Sequence, residues 1–149
     1  MPNTQRTRRG RVSEPQCIYL LTTRTAQRQR FFLDWHAARS VASALHDAGK
    51  SGQVSSLAWV VMPDHFHWLV QLRTGSLASV MRNVKARAAI YTNRHLGREG
   101  RVWQSGYHDR ALRREEDLAA VARYIVCNPL RAGLVRRVGD YAFWDAVWL

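Results

Sequence analysis

Apolar residues recur along the chain at two different spacings, and these spacings predict the secondary structure. Short apolar runs rich in strand-forming residues predict strands at 17–23, 54–62 and 65–72, with a short fourth strand at 107–112. Apolar residues at helical spacing predict one helix between Asp34, which can cap it, and Gly49, and a second helix after Ser76. The pair Pro63-Asp64 separates two of the strands and favours the turn of a hairpin.

A third helix is predicted from Glu115 to about Asn128. Three acids in its first turn suit the positive end of the helix dipole, and an apolar stripe follows them. The order β-α-β-β-α-β followed by a helix predicts an α+β fold, a ferredoxin-like sandwich with an antiparallel sheet and an additional C-terminal helix. At 149 residues we expect a single domain at 15–149, preceded by a flexible basic arm at 1–14.

The charge balance favours a polyanionic partner. Lys and Arg number 23 against 11 acids, which gives a net charge of +12 and attracts nucleic acid, although charge alone does not separate DNA, RNA and anionic lipid. With only two cysteines, no secretory leader and no apolar run of about 18 residues, we expect a cytoplasmic, nucleoid-associated protein without membrane contact. Trp103 is expected to stack on an unpaired base, and the residues expected to contact phosphates are Arg6, Arg8, Arg9, Arg11, Arg82, Lys85 and Arg87.

Two groups of residues suggest metal-assisted chemistry. His65 and His67 point to the same face of a predicted strand, and two neutral imidazoles can bind one divalent ion, although such a pair can also serve packing alone. Tyr124 and Asn128 lie four residues apart on the third helix, where the Asn128 amide oxygen can complete a site suited to Mg²⁺ or Mn²⁺. The alternative is that Tyr124 is an edge aromatic and Asn128 only ends the helix.

Two sequence blocks, MPDHFHWLV at 62–70 and RYIVCNPLRAGLV at 123–135, resemble the signature blocks of REP-associated tyrosine transposases, which belong to the IS200-like, single-tyrosine HUH transposases. YLLTTR at 19–24 and WQSGYHDR at 103–110 agree with the same family. The resemblance implies that His65 and His67 bind the metal with Asn128 as third ligand, and that Tyr124 is the nucleophile. It also implies cleavage of single-stranded or hairpin DNA at palindromic repeats through a 5′-phosphotyrosine, by a monomer or a homodimer.

Other interpretations stay open at this level. The chain could be a basic single-strand-binding module without catalysis, or a metallonuclease that uses water and gives Tyr124 no covalent role. Asp64 and Asp117 are expected to serve turns and helix starts. No catalytic role is expected for the remaining histidines, which are His36, His46, His95 and His108.

Overall fold

The computed structural model describes residues 14–113 and 117–147. Its strands form one antiparallel sheet in the order β4-β1-β3-β2-β5, with β1 (Ile18–Arg24), β2 (Val54–Met62), β3 (His65–Leu72), β4 (His108–Ala111) and β5 (Trp144–Ala146). The helices are α1 (Trp35–Lys50), α2 (Leu77–Leu96), α3 (Leu118–Val126) and the short α4 (Asn128–Arg131). The predicted α+β fold with a ferredoxin-like order of strands and helices is confirmed.

The ends of α1 and α2 follow from local hydrogen bonding. Asp34 caps α1 by accepting a hydrogen bond from the Ala37 N–H, and Ser76 caps α2 through the Ser79 N–H. The helix α2 ends at Gly97, whose φ of 62° lies in the left-handed region that glycine adopts at low cost. The glycines and charged residues of 93–106 predict a loop, and this prediction is wrong for residues 93–96, because α2 continues until Gly97 ends it.

The sheet separates two layers of apolar side chains. One face, here called the α1/α2 face, carries Leu21, Val61, Phe66 and Trp68 and packs on α1 and α2. The opposite face, here called the α3 face, carries another cluster against α3 and β5, formed by Ala58, Val60, Met62, Leu69, Ala122, Ile125, Val126 and Ala146. Because successive residues of a strand point to opposite faces, the side chains of β3 alternate between the α1/α2 face and the α3 face.

The strand β5 was not expected. It pairs with β2 through only three residues, too short a run to show a strand period. Two side-chain hydrogen bonds hold the segment around it, from Tyr141 Oη to the Val61 carbonyl at 2.6 Å and from Trp144 Nε1 to the Val138 carbonyl at 3.1 Å. The C-terminal segment therefore belongs to the sheet.

The third helix is shorter than predicted. Asp117 is its N-cap and accepts hydrogen bonds from the Ala119 and Ala120 N–H groups, whereas Glu115 lies outside the described residues. The helix ends at Val126, because Pro129 lacks an N–H and cannot continue the hydrogen-bond ladder, and Asn128 begins α4. The predicted basic arm at 1–14 falls outside the described part except for Glu14. Among the described helices, none combines the length and the hydropathy required to cross a bilayer.

Candidate functional site

His65 and His67 form a pair on the α3 face of the sheet. Their ring centroids lie 4.9 Å apart at an interplanar angle of 76°. Phe66, which lies between them in sequence, is fully buried on the opposite face. The strand therefore places both imidazoles on one side, as the alternation of the sequence predicts.

A hydrogen bond fixes the orientation of each ring. His65 Nδ1 lies 2.7 Å from Asp64 Oδ1, and Asp64 Oδ2 also accepts a hydrogen bond from Arg28 Nε at 3.0 Å. His67 Nδ1 lies 2.8 Å from the hydroxyl oxygen of Thr22. With the ring proton on Nδ1 in both residues, each Nε2 keeps its lone pair for a metal ion. Asp64 therefore orients His65 in addition to forming the turn.

The surroundings keep both imidazoles uncharged at neutral pH. Burial lowers the pKa of His65, although the neighbouring carboxylate of Asp64 opposes this effect. Burial also lowers the pKa of His67 to about 3, and the charges of Arg24 and Arg131 contribute in the same direction. Because metal ions bind neutral imidazole, this donor pair fits a divalent cation.

A third protein ligand would have to be of another chemical type. Within residues 14–113 and 117–147, no group of three or more His, Cys, Asp or Glu side chains could hold a metal ion. Asn128, which is half-buried at the first position of α4, offers an amide oxygen. An oxygen ligand beside two imidazoles suits Mg²⁺ or Mn²⁺.

The helix α3 covers the face of the sheet from which the histidines project. Ala122, Ile125 and Val126 of α3 share a hydrophobic cluster with Val60 and Met62 of β2. In the register of the sheet, Val60 pairs with His67 and Met62 pairs with His65. The side chain of Tyr124, which lies between these buried positions in sequence, is 63% exposed. The tyrosine helix and the histidine pair thus lie on the same side of the sheet.

Arg131 contacts Tyr124 and acts electrostatically on His67. Its guanidinium carbon lies 3.8 Å from the centroid of the Tyr124 ring, and its Nη2 donates a hydrogen bond to the Tyr124 carbonyl. The positive charge of Arg131 also lowers the pKa of His67. Arg123, which directly precedes the tyrosine in the chain, instead has its Nη2 atom 3.9 Å from Asp117 Oδ2. Of these two arginines, Arg131 is the one that contacts the tyrosine.

Sequence reasoning gave no individual role to several residues beside the histidines. Thr22 pairs with His67 across β1 and β3, and Arg24 pairs with His65. His108 of β4 pairs with Thr22 from the other side, so its side chain also projects from the α3 face. The only signal for them was their presence in the blocks YLLTTR and WQSGYHDR, because the pairing of distant strands is not visible in a local pattern.

Two of the predicted DNA contacts, Trp103 and Lys85, have partners within the protein. Trp103 is only 5% exposed and its ring packs against Phe32 and Phe66, so the prediction that it stacks on a base is wrong. Lys85 Nζ donates hydrogen bonds to the carbonyls of Gln104 and Gly106 in the loop before β4.

The other predicted phosphate contacts divide into two groups. Arg87 forms an ion pair with Asp47 at 2.7 Å, and the side chain of Arg82 is exposed. Both residues belong to α2, which packs on the α1/α2 face, away from the histidine pair. Arg6, Arg8, Arg9 and Arg11 lie outside the described residues.

Comparison with known proteins agrees with the motifs. Residues 13–128 match the family described as IS200-like transposases. The chain belongs to this family. The chain is 31% identical over 88 residues to the REP-associated tyrosine transposase of Escherichia coli K12, a match that covers 58% of the chain and 50% of the relative. A relative from Haemophilus influenzae is 28% identical over 99 residues, which are 59% of this chain and 56% of that protein.

A solved structure of a REP-associated tyrosine transposase bound to a REP hairpin has the same fold. It superposes with a TM-score of 0.70 at 23% sequence identity, covering 90% of this chain and 79% of the other. The chain matches about half of the length of its curated relatives. The resemblance to REP-associated transposases found in the sequence is therefore confirmed, and the shared fold extends over most of the described domain.

Proposed function

We propose that this IS200-like transposase is a metal-dependent enzyme that nicks and rejoins single-stranded or hairpin DNA through Tyr124. The observation that carries the proposal is the shared sheet face. Two imidazoles, each hydrogen-bonded through Nδ1 and each with a pKa lowered by burial, project from the face on which the tyrosine helix packs. Packing alone would not require both rings to be held by hydrogen bonds through the same ring nitrogen.

In this proposal His65 and His67 hold Mg²⁺ or Mn²⁺, with Asn128 as the third ligand. A bound divalent ion polarises the scissile phosphate and offsets negative charge that develops during the reaction. Asp64 and Thr22 keep the two Nε2 atoms aimed at the ion through their hydrogen bonds to Nδ1. The protein thus supplies a preorganised donor set.

Tyr124 supplies the nucleophile. Its phenol oxygen attacks the scissile phosphorus, a bond from this oxygen to phosphorus forms, and the bond from phosphorus to the 3′ oxygen breaks. The products are a 5′-phosphotyrosine and a free 3′-hydroxyl, which receives the phenolic proton through solvent. Arg131, whose guanidinium lies 3.8 Å from the ring centroid, stabilises negative charge on the phenol oxygen as the attack begins. Reversal with another 3′-hydroxyl rejoins DNA without a nucleotide triphosphate.

The substrate assignment has two supports. The net charge of +12 favours a polyanion. A structural relative with the same fold is bound to a REP hairpin, and the E. coli relative is a REP-associated tyrosine transposase. We therefore propose palindromic repeats that fold into hairpins as the substrate, and single-stranded flanks as the cleaved region.

The proposal is tested with labelled hairpin oligonucleotides that carry single-stranded flanks. Wild-type protein with Mn²⁺ or Mg²⁺ is expected to form a DNA adduct that survives SDS, and Tyr124→Phe is expected to form none. The matched control is Tyr91→Phe, which removes the hydroxyl of another exposed tyrosine on α2, across the sheet, and should leave the adduct unchanged.

Each of the other outcomes would indicate a different function for the chain. Equal cleavage by wild type and Tyr124→Phe would overturn the role of Tyr124. A free 5′-phosphate without adduct would indicate a metallonuclease that uses water. Hairpin binding that is insensitive to EDTA and to His65→Ala, without any strand breakage, would indicate a binding module.

A further inference from the structure

Arg24 is the last residue of β1 and lies beside the histidine pair. It is the register partner of His65, and Thr22, two positions earlier on the same strand, is the partner of His67. Since residues two apart in a strand share a face, Arg24 projects from the α3 face like Thr22. Directly opposed residues in an antiparallel pair have Cβ atoms about 4.5–5.5 Å apart, so the Arg24 side chain starts next to the His65 imidazole.

Arg28 and Arg131 have hydrogen-bond partners for their guanidinium groups, whereas Arg24 has none among the described residues. Arg28 is paired with Asp64 at 3.0 Å, and Arg131 is bonded to the Tyr124 carbonyl and stacked on its ring. Within residues 14–113 and 117–147, the guanidinium of Arg24 forms no side-chain hydrogen bond or ion pair, although the residue is half-buried. The neighbouring carboxylate, Asp64, is already shared by Arg28 and His65.

An unpaired, half-buried cation is costly for the folded protein. Arg24 is half-buried and its guanidinium has no ion-pair partner among the described residues, and a nearby metal ion would add repulsion. The charge of Arg24 already acts on the pKa of both histidines, which places it within electrostatic range of the two rings. A bound anion next to the histidine pair would remove the cost.

We propose that Arg24 binds a non-bridging oxygen of the scissile phosphate. The inference rests on the proposed function and adds a phosphate-binding residue from the first strand. A phosphodiester fits because a guanidinium forms strong, charge-assisted hydrogen bonds to an anionic phosphate oxygen, and because the nucleophile Tyr124 requires the phosphate on this side of the sheet. Arg24 thus offsets charge on the phosphate that the metal leaves uncompensated.

The experiment compares two variants at this position with a control. Arg24→Gln removes the charge and leaves a shorter polar side chain, Arg24→Lys keeps the charge without the planar fork, and Arg94→Gln removes an exposed charge from α2 across the sheet. The wild-type cleavage position is mapped first. Single-turnover adduct formation is then measured at saturating DNA, on the natural oligonucleotide and on each stereoisomer carrying a methylphosphonate at that position. Circular dichroism melts verify folding.

On the natural phosphate, Arg24→Gln is expected to slow adduct formation about 100-fold, as the loss of one preorganised donor to a transition state does. Arg24→Lys should recover part of this loss, and Arg94→Gln should match wild type. A methylphosphonate lacks one charged oxygen, so in one stereoisomer the ratio of wild type to Arg24→Gln should fall to a few-fold, because the interacting partner is already absent.

A second measurement separates phosphate binding from support of the histidines. Mn²⁺ affinity in the absence of DNA is expected to stay equal or become tighter in Arg24→Gln, since a repulsive charge is removed. Weaker Mn²⁺ binding, or an equal loss of rate on the natural and both methylphosphonate substrates, would overturn the inference while leaving the role of Tyr124 intact. Absence of any adduct in wild type would overturn the proposed function, and the Arg24 inference with it.

Discussion

Thr22→Val is expected to weaken metal binding while keeping the shape of the side chain. Thr22 is 8% exposed, and its hydroxyl oxygen lies 2.8 Å from His67 Nδ1. Valine has nearly the same volume, so no cavity forms, but the ring loses the partner that holds Nδ1 and directs Nε2. The substitution therefore tests orientation rather than packing.

The size of the effect follows from this one hydrogen bond. Loss of a partner that orients a metal-binding histidine typically lowers metal affinity about 10- to 100-fold. At about 1.4 kcal/mol per tenfold change, this corresponds to roughly 1.4–2.8 kcal/mol. The range agrees with the cost of about 1–3 kcal/mol for leaving a buried polar group without its partner. Loss of this hydrogen bond should also lower the free energy of unfolding of Thr22→Val.

The assay is calorimetric titration with Mn²⁺ in the Tyr124→Phe background, below the unfolding temperature. Thr23→Val is the matched control, because Thr23 points to the opposite face and its buried hydroxyl has no hydrogen-bond partner among the described residues. This control should leave Mn²⁺ affinity unchanged and the fold equally or more stable. Equal Mn²⁺ affinity in Thr22→Val and wild type would refute the idea that Thr22 orients His67.

Two further predictions concern the fold. Tyr141→Phe should lower the free energy of unfolding in urea by about 0.5–1.5 kcal/mol at neutral pH, since it removes the hydrogen bond to the Val61 carbonyl. Burial raises the pKa of Tyr141 to about 12. The contribution of Tyr141 to the free energy of unfolding is therefore complete below pH 10 and is lost as the pH rises towards 12. If the difference in free energy of unfolding between wild type and Tyr141→Phe stays constant through this pH range, the assignment is contradicted. Trp103→Ala should lower the free energy of unfolding by about 3–5 kcal/mol, because its ring is buried against Phe32 and Phe66. Oligonucleotide affinity, measured by fluorescence anisotropy on folded protein, should be unchanged by this substitution, and a large loss of affinity would restore a stacking role.

The strands and caps could be predicted because their signals are local. The predicted strands at 54–62 and 65–72 agree with β2 and β3, since both are long apolar runs on either side of Pro63-Asp64. Asp34 and Ser76 cap the predicted helices through their own side chains. These features depend on neighbours within a few positions along the chain.

The remaining features depend on contacts between distant segments. Trp103 lies among charged residues and near glycines, which resembles an exposed loop, yet its ring is buried by residues from other elements. Thr22 acquires its place beside His67 from the register of β1 and β3, which are 45 positions apart at that contact. The candidate histidines and tyrosine were recognised in the sequence, whereas the residues that surround them required the sheet.

The two hydrophobic clusters on either side of the sheet differ in extent among the described residues. The one under α1 and α2 is the larger, and the one that holds α3 is smaller. Since the cost of local opening grows with the apolar contacts broken, α3 can detach more readily than the domain unfolds. Under the proposed function, a DNA end joined to Tyr124 moves with α3, whereas His65 and His67 stay in β3, so the joined end can leave the two histidines and return to them while the sheet remains intact.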